Sequence, residues 1–424
     1  MTSENVLLLH YSAPPVAGGV QAVLEAQARV LLEGGFRVGV AAGLGDPAAL
    51  PTGAELILIP EMDSAHREIR AISNSLEEGD VPPAFEPMVA RLYTQLEAAL
   101  PGFKAIVIHN VLTRHLNLPL TAALARLAEK GLLPHSIAWC HDFSWSSPHS
   151  HSKVHPGYPW DLLRTPLPGT TYVTISAARQ RELAGVLNVP EETIQVVYNG
   201  IDPQSVLGLS SAGLELADRL ELWQADPFLL MPVCVAQAKN IELAIHTAVA
   251  LRKTASDPRV VVTGSPDSHE AGDLAYYQEL LDLRRALGLE RQFRFVYECG
   301  PSPEEPLLLE PAQVGELLRL ADLVYLPSRR EGFGVPVLEA GLAGIPLVCS
   351  SRVPAANEIA SGDVVILPED VTAEQSARLI LGLLEANPMS RLRRQVRRDL
   401  TWRAIFERQL RPLLAGSKAG LSGG

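Results

Sequence analysis

The sequence has few of the features that mark a specialised class of protein. Its 4 cysteines, Cys140, Cys234, Cys299 and Cys349, lie far apart without a CxxC pair, so neither a disulfide framework nor a zinc site is implied. Basic residues are also few, since 36 Lys and Arg stand against 48 Asp and Glu for a net charge of −12. Because nucleic-acid binding requires a basic surface that neutralises phosphates, this balance argues against such a partner.

Long apolar runs are absent as well. No run reaches the length of a membrane span, and the first residues lack the basic segment of a signal peptide, so we expect a cytoplasmic protein. One basic run near the C-terminus offers a possible peripheral contact with anionic lipid, but we favour its interpretation as the solvated face of a terminal helix. Its members are Arg391, Arg393, Arg394, Arg397 and Arg398.

The remaining composition is that of a globular protein, with 47% hydrophobic and 20% charged residues. A chain of 424 residues is too long for one ordinary core. Short apolar runs alternate with helical stretches, which predicts α/β domains with parallel sheets and helices on both faces. The predicted strands of the first domain are Val6–His10, Arg37–Ala42, Glu55–Ile59, Ala105–Ile108, Ser136–Cys140, Thr171–Ile175 and Ile194–Val197. Those of the second are Phe228–Val233, Arg259–Thr263, Phe293–Tyr297, Leu323–Leu326, Leu347–Cys349 and Val364–Ile366. Turn residues cluster at 199–203, so we place the domains at residues 1–203 and 204–390.

The most informative segment is 331–344, with the sequence EGFGVPVLEAGLAG. It follows a predicted strand, contains two glycines, and then has Pro336 at a position that suits the start of a helix, while Gly344 marks the helix end. A helix N-terminus after a glycine loop offers unpaired N–H groups and a partial positive charge, which favour phosphate binding.

Two carboxylates, Glu331 and Glu339, flank this predicted phosphate site. Like charges close to a phosphate repel it, so we expect these carboxylates to accept hydrogen bonds from the hydroxyls of a ribose or a hexose. A purely structural alternative is that Glu339 caps its own helix and Glu331 is a surface charge.

The strand, glycine loop and paired glutamates resemble the E-x7-E signature of retaining glycosyltransferase family 4 (glycosyl transferase group 1). That family has the GT-B fold, in which two Rossmann-like, doubly wound domains face each other across a cleft. Further segments resemble the family in the same order, namely Val173–Ser176, Tyr198–Asp202, Lys239–Glu242 and Trp402. The resemblance covers nearly the whole chain and implies that a C-terminal helix, residues 391–424, crosses back to the first domain.

The resemblance implies a role for each candidate site residue. Glu339 would bind the ribose hydroxyls of a donor nucleotide and Glu331 a hydroxyl of the donor sugar. Lys239 and the backbone amides of Gly332, Phe333 and Gly334 would contact the diphosphate and the sugar. In the first domain, His141 would lie near the transferred sugar.

Two features of the first domain leave alternatives open. Asp142 is placed to orient His141, although His141 is also interpretable as a structural histidine at a strand end. Gly18 and Gly19 follow the first strand, where backbone donors could approach a phosphate or the acceptor, but the same residues would suit a plain tight turn.

The chain departs from the family pattern at Cys234. Family members usually have an arginine at this position, and it binds the donor diphosphate together with the lysine. Three explanations are open: another cation such as Arg329 or Arg330 substitutes, the chain is a weakly active or non-catalytic relative, or the donor is held differently. We favour substitution by another cation.

A histidine- and tryptophan-rich loop, residues 139–160, follows the strand that ends at Cys140. His149, His151 and His155 suggest a metal site, but no cysteine or regularly spaced carboxylate supports one. Aromatic faces with polar neighbours suit a sugar acceptor better, and an ordinary surface loop is the remaining alternative.

The expected function is therefore transfer of a sugar from a nucleoside-diphosphate donor to an acceptor hydroxyl, without a metal or another cofactor. A nucleotide-sugar epimerase of the same fold and a non-catalytic sugar-nucleotide-binding protein are the competing hypotheses. A dehydrogenase is disfavoured because no GxGxxG follows the first strand.

Overall fold

The computed structural model describes residues 4–266, 271–302 and 304–416, which divide into two compact units. Unit 1 comprises residues 4–200 and 402–416, and unit 2 comprises Ile201–Thr401. The chain returns to unit 1 at Trp402, later than the expected residue 391, and residues 417–424 of the predicted tail lie outside the described part.

Unit 1 is built on a parallel sheet with the strand order β3-β2-β1-β4-β5-β6-β7. Its strands are β1 (Asn5–Leu9), β2 (Arg37–Ala42), β3 (Glu55–Leu58), β4 (Ala105–His109), β5 (His135–Cys140), β6 (Thr170–Thr174) and β7 (Gln195–Val196). Its helices are α1 (Gly19–Glu33), α2 (Arg67–Glu77), α3 (Phe85–Ala99), α4 (Leu118–Glu129), α5 (Ala177–Leu187) and, after the return, α15 (Trp402–Ile405) and α16 (Arg411–Leu414). Alternate residues of β1 enter different cores, Val6 and Leu8 on one face and Leu7 and Leu9 on the other, which explains why this strand is a continuous apolar run.

Unit 2 repeats the plan with the parallel order β10-β9-β8-β11-β12-β13. Its strands are β8 (Phe228–Met231), β9 (Arg259–Val262), β10 (Phe293–Phe295), β11 (Leu323–Leu326), β12 (Leu347–Ser350) and β13 (Val365–Leu367). Its helices are α6 (Pro203–Leu207), α7 (Ser211–Arg219), α8 (Ile241–Thr254), α9 (Ala271–Ala286), α10 (Pro311–Leu320), α11 (Val335–Ala343), α12 (Pro354–Glu358), α13 (Ala373–Ala386) and α14 (Pro388–Asp399).

Every strand predicted from the sequence is present, with ends that shift by one or two residues. In each sheet the second and third strands are added on one side of the first strand and the later strands on its other side. The order therefore switches between β1 and β4 in unit 1 and between β8 and β11 in unit 2. Ligands of doubly wound sheets bind at the carboxyl ends of the strands beside such a switch. The fold therefore directs attention to the loops after β8 and β11 and to those after β1, β4 and β5.

The arginine run is not the solvated helix face that we expected. Arg397 is buried and binds both oxygens of Asp322 at 2.8 and 2.7 Å, and Arg394 and Arg398 each bind Asp226. Helix α14, which carries the run, is thereby fastened to unit 2, which accounts for the late return of the chain. Among the described helices, none has the length and apolar character of a membrane span.

Candidate functional site

The loop after β11 has the predicted form of a glycine turn that leads into a helix. Gly334 adopts φ +100 at the start of α11, Pro336 lies in the first turn, and the helix ends at Gly344 with φ +67. A Cβ atom on Gly334 would lie 2.4 Å from the side chain of Val353. Glycine is therefore required at position 334 both by the backbone conformation and by the close packing.

Lys239 and Glu331 form an ion pair that the sequence did not predict. The Nζ atom of Lys239 lies 2.8 Å from each carboxylate oxygen of Glu331, and the hydroxyl of Ser328 donates to the same carboxylate at 2.9 Å. The two side chains are only 17% and 12% exposed. Lys239 follows β8 and Glu331 follows β11, so the pairing of these neighbouring strands was the signal that could have revealed it.

Asn240 links the start of α8 to the residue that follows β11. Its side chain makes no capping hydrogen bond and instead donates to the carbonyl of Pro327 at 3.2 Å. The backbone amides of Arg329 and Arg330 both point at the carbonyl of Ala238, at 2.8 and 3.3 Å. These bonds hold together the turn at residues 237–240, here called the Lys239 turn, and the loop at residues 327–334, here called the Glu331 loop.

The two arginines differ in how far their side chains are engaged. Arg329 donates to the carbonyl of Gln237 and lies 3.7 Å from Glu242. Arg330 is exposed and has no ion-pair partner in the described part of the chain. Cys234 is exposed in the loop after β8, and that loop is bound to Gly264, whose amide donates to Val233 at 3.0 Å.

Glu339 is exposed on α11 and does not cap the helix, because α11 has no side-chain cap and no acidic residue in its first turn. The purely structural alternative for the pair of glutamates is therefore wrong on both counts: Glu331 is largely buried in an ion pair, and Glu339 makes no cap. Phe333, between the loop glycines, is 39% exposed.

In unit 1, helix α1 begins at Gly19 directly after the loop that follows β1. Gly18 is extended, no acidic residue lies in the first turn, and a Cβ atom on Gly19 would meet open space. Gln21 donates to Ser12 at 2.9 Å and so links the first turn of α1 to the first part of that loop. The amides at this helix start keep their partial positive charge for an anionic or hydroxyl ligand.

His141 belongs to a histidine cluster, which we define as His10, His109 and His141. The His109 and His141 rings stack at 5.9 Å, and Nδ1 of His10 lies 3.0 Å from the carbonyl of His109. Burial lowers the pKa of both His10 and His141 to about 4 and that of His109 well below its usual value. The imidazoles are thus uncharged at neutral pH, and Nε2 of His141 is buried without a hydrogen-bond partner among the described residues.

His10, His109 and Asn110 were not identified from the sequence. Asn110 has a positive backbone φ of 59°. Its side-chain oxygen accepts hydrogen bonds from the backbone amides of His141 at 2.7 Å and Asp142 at 3.2 Å. The signal was again topological, because these residues lie at the carboxyl ends of β1 and β4, at the same sheet edge as His141.

Asp142 does not orient His141 by a hydrogen bond, contrary to the expectation. Its carboxylate lies 3.9 Å from Arg114 and 3.6 Å from Arg179, although its charge raises the pKa of His141 against the larger effect of burial. Asp142 borders two cavities of about 200 and 450 Å³. The smaller also touches Gln21 and His10, so the structure brings Asp142 and the start of α1 to one place.

The histidines of the loop 139–160 point to separate partners. His151 lies 2.9 Å from the carbonyl of Trp145, and His155 lies 3.1 Å from that of Glu77. Among the described residues, no group of three or more His, Cys, Asp or Glu side chains is arranged to hold a metal ion. His149 borders the larger cavity together with serines.

Two protein-family models match the chain. One, described as Glycosyltransferase Family 4, matches residues 17–205, and the other, Glycosyl transferases group 1, matches residues 221–399. The first model lies mostly in unit 1 and the second entirely in unit 2.

Curated relatives match with modest identity. An uncharacterized glycosyltransferase of Methanocaldococcus jannaschii is 28% identical over 182 residues, 42% of either chain. The D-inositol 3-phosphate glycosyltransferase of Corynebacterium diphtheriae is 25% identical over 50% of this chain and 56% of its own. The mannosylglucosylglycerate synthase of Thermotoga maritima is 24% identical over 81% of this chain and 80% of its own. The chain spans about half the length of the first two relatives.

Proposed function

The chain belongs to the group 1, family 4 glycosyltransferases of the GT-B fold, and we propose that it transfers a sugar from a nucleoside-diphosphate donor to an acceptor hydroxyl with retention at the anomeric carbon. The observation that carries this proposal is the Lys239 and Glu331 pair beside the Gly334 turn. A cation, a carboxylate and a helix N-terminus then converge where a sugar diphosphate presents hydroxyls and negative charge.

Each member of this group has a chemical task. When the bond from the sugar to the diphosphate breaks, negative charge grows on the leaving phosphate, and Lys239 together with the amides of residues 332–334 would stabilise that charge. We propose that these groups suffice without a metal ion. Glu339, exposed one helical step further, would accept hydrogen bonds from the ribose.

Glu331 would bind a sugar hydroxyl and would not act as a covalent nucleophile. Both of its oxygens lie 2.8 Å from Lys239, and Ser328 donates to one of them. Three of about four acceptor sites of the carboxylate are thus engaged, which leaves one for a sugar hydroxyl and makes the group a poor nucleophile. A glycosyl adduct trapped on Glu331 that the Glu331→Gln variant does not form would contradict this assignment.

The acceptor would bind in unit 1, at the cavities that Asp142 borders. Neutral His141 would accept a hydrogen bond from, or donate one to, a hydroxyl near the reacting carbon. The names of two relatives include inositol 3-phosphate and glycerate, and by analogy we propose a small polyhydroxyl acceptor for this chain.

Cys234 supports a second candidate function, which is binding of a sugar nucleotide without efficient transfer. Its exposed thiol occupies the position of a diphosphate-binding arginine in the family. Loss of one charge-assisted hydrogen bond, about 1.5 to 3 kcal/mol, corresponds to roughly a ten- to hundredfold loss in donor binding or rate.

A ligand screen separates these possibilities. Thermal unfolding is measured with ADP, GDP, UDP and TDP and with their sugars, since a bound ligand stabilises the folded chain by mass action. The preferred donor is then incubated with polyol and sugar acceptors, and the product is analysed. Stabilisation with transfer supports the first function, stabilisation without turnover supports the second, and conversion of the donor alone indicates an epimerase. No stabilisation by any sugar nucleotide would refute all three.

A further inference from the structure

Unit 2 contains a largely apolar cavity of about 450 Å³ at the opposite end of the strands from the Lys239 turn. It is formed where the chain enters β11 and β12, at their amino-terminal ends, whereas Lys239 and Glu331 follow the carboxyl ends of β8 and β11. Its walls come from α6, α14 and the segment before β12, including Val206, Ile345, Met389 and Leu392. A volume of this size lies within the range of small-molecule sites, roughly 300 to 1,000 Å³.

The described lining of this cavity carries an excess positive charge, with Arg393 and Arg397 against Asp322 alone. Arg393 lines the cavity, and its Nη2 atom is buried without a hydrogen-bond partner among the described residues. Asp322 is the acidic residue of the lining, but Arg397 already binds both of its oxygens, and the amide of Phe228 binds Oδ2 at 2.7 Å. Burial accordingly lowers the pKa of the Arg393 guanidinium. A guanidinium nitrogen that is buried without an acceptor is unfavourable, and a single bound anion would supply the acceptor.

Most of the remaining lining is apolar, with Asn387, Ser390 and Thr401 as its uncharged polar members, and part of it faces solvent. Val206 is 63% exposed and Met389 is 68% exposed, so the apolar wall continues to the mouth of the cavity. The ligand that fits therefore has one anionic group and an apolar body. A dianionic phosphate would exceed the single uncompensated charge.

We propose that this cavity binds a single-chain carboxylate amphiphile of the fatty-acid type, with the carboxylate on Arg393 and the alkyl chain along Val206, Ile345 and Met389. A flat membrane surface fits less well, because α14 does not offer a free basic face. Its neighbouring arginines Arg394 and Arg398 are bound to Asp226 at 2.9 and 2.7 Å.

The test uses decanoate, with 1-decanol as the uncharged analogue, in titration calorimetry on the full chain. Wild type should bind one decanoate, and Arg393→Met should weaken binding by about tenfold or more, as expected for the loss of a charge-assisted hydrogen bond. Arg391→Met, on the same helix but outside the cavity lining, is the matched control and should bind normally. Val206→Asp should also abolish binding by placing a carboxylate on the apolar wall.

A second measurement separates ligand binding from a structural role. Without ligand, Arg393→Met should unfold at a higher temperature than wild type, because it removes a guanidinium whose buried Nη2 atom has no acceptor among the described residues. Decanoate should stabilise wild type alone. If Arg393→Met does not fold, the arginine is structural and the proposal is wrong. The proposal also fails if wild type ignores decanoate, if decanol binds equally well, if only anionic vesicles bind, or if sedimentation shows that the cavity joins two copies of the chain.

Discussion

Replacement of Glu331 by Gln tests two proposed properties of the Lys239 ion pair. One is the hold of the Glu331 carboxylate on Lys239, and the other is the contact of Lys239 with the donor diphosphate. Both oxygens of Glu331 hold the Lys239 ammonium at 2.8 Å. In the proposed function, the same ammonium turns to the diphosphate when the donor binds. Glu331→Gln keeps the shape of the side chain but removes the charge that would compete with the diphosphate for Lys239.

The magnitude follows from the exposure of the pair. The side chains are 17% and 12% exposed, so the pair is partly screened by solvent, and its net value is on the order of 1 kcal/mol. Release of Lys239 should then tighten the binding of a nucleoside diphosphate that lacks the sugar by up to about fivefold. Lys239→Met removes a charge-assisted hydrogen bond and should weaken the same binding by about 10- to 100-fold. Sugar transfer should fall in both variants.

The assay is titration calorimetry with the nucleoside diphosphate chosen by the ligand screen, followed by turnover measurements with the matching sugar nucleotide. Glu407→Gln is the control, because that glutamate forms an exposed ion pair with Arg411 in unit 1, whereas Lys239 lies in unit 2. A tenfold loss of nucleoside diphosphate affinity in Glu331→Gln would refute the reasoning, since it would mean that the carboxylate itself holds the nucleotide.

Three further outcomes are expected. If Arg330 replaces the arginine that is missing at position 234, Arg330→Gln should weaken nucleoside diphosphate binding by about tenfold. Cys234→Arg should then strengthen this binding by less than about threefold. A large gain in affinity from Cys234→Arg would show that no cation had taken the place of the missing arginine. His10 and His141 stay neutral in the folded chain down to a pH of about 4, whereas in the unfolded chain they take up protons below about pH 6.5. Urea denaturation should therefore show stability falling as pH drops from about 6.5 to about 4, by up to about 3 kcal/mol for each of these two histidines, and a flat profile would contradict this. Asp322→Asn should lower the free energy of unfolding by about 3 to 5 kcal/mol because it leaves the buried Arg397 unpaired, whereas a loss below about 1 kcal/mol would show that the pair is not needed.

The sequence predicted those features that depend on neighbouring residues. The strands were recognisable as short apolar runs bounded by turn residues, and the helix from Val335 to Ala343 was recognisable from its proline and glycines. Both signals act within a few residues, where backbone preferences and burial leave few choices.

The misinterpretations have a common origin. The arginine run was read as a solvated face because a helix of five arginines offers no local sign of partners, yet Arg397 binds Asp322 across 75 positions of sequence. Asp142 was assigned to the adjacent His141, but Arg114 and Arg179, brought near by the fold, attract its carboxylate instead.

What the sequence determined by itself is the class of the molecule: two α/β units with parallel sheets, a glycine turn before α11, and Glu339 within that helix. Only the tertiary structure decided which charges meet. Lys239 and Glu331 are 92 positions apart, and they form a pair because β8 and β11 are neighbours in the sheet. Charge interactions fall off with distance and depend on burial, and neither quantity exists until the strands are placed side by side.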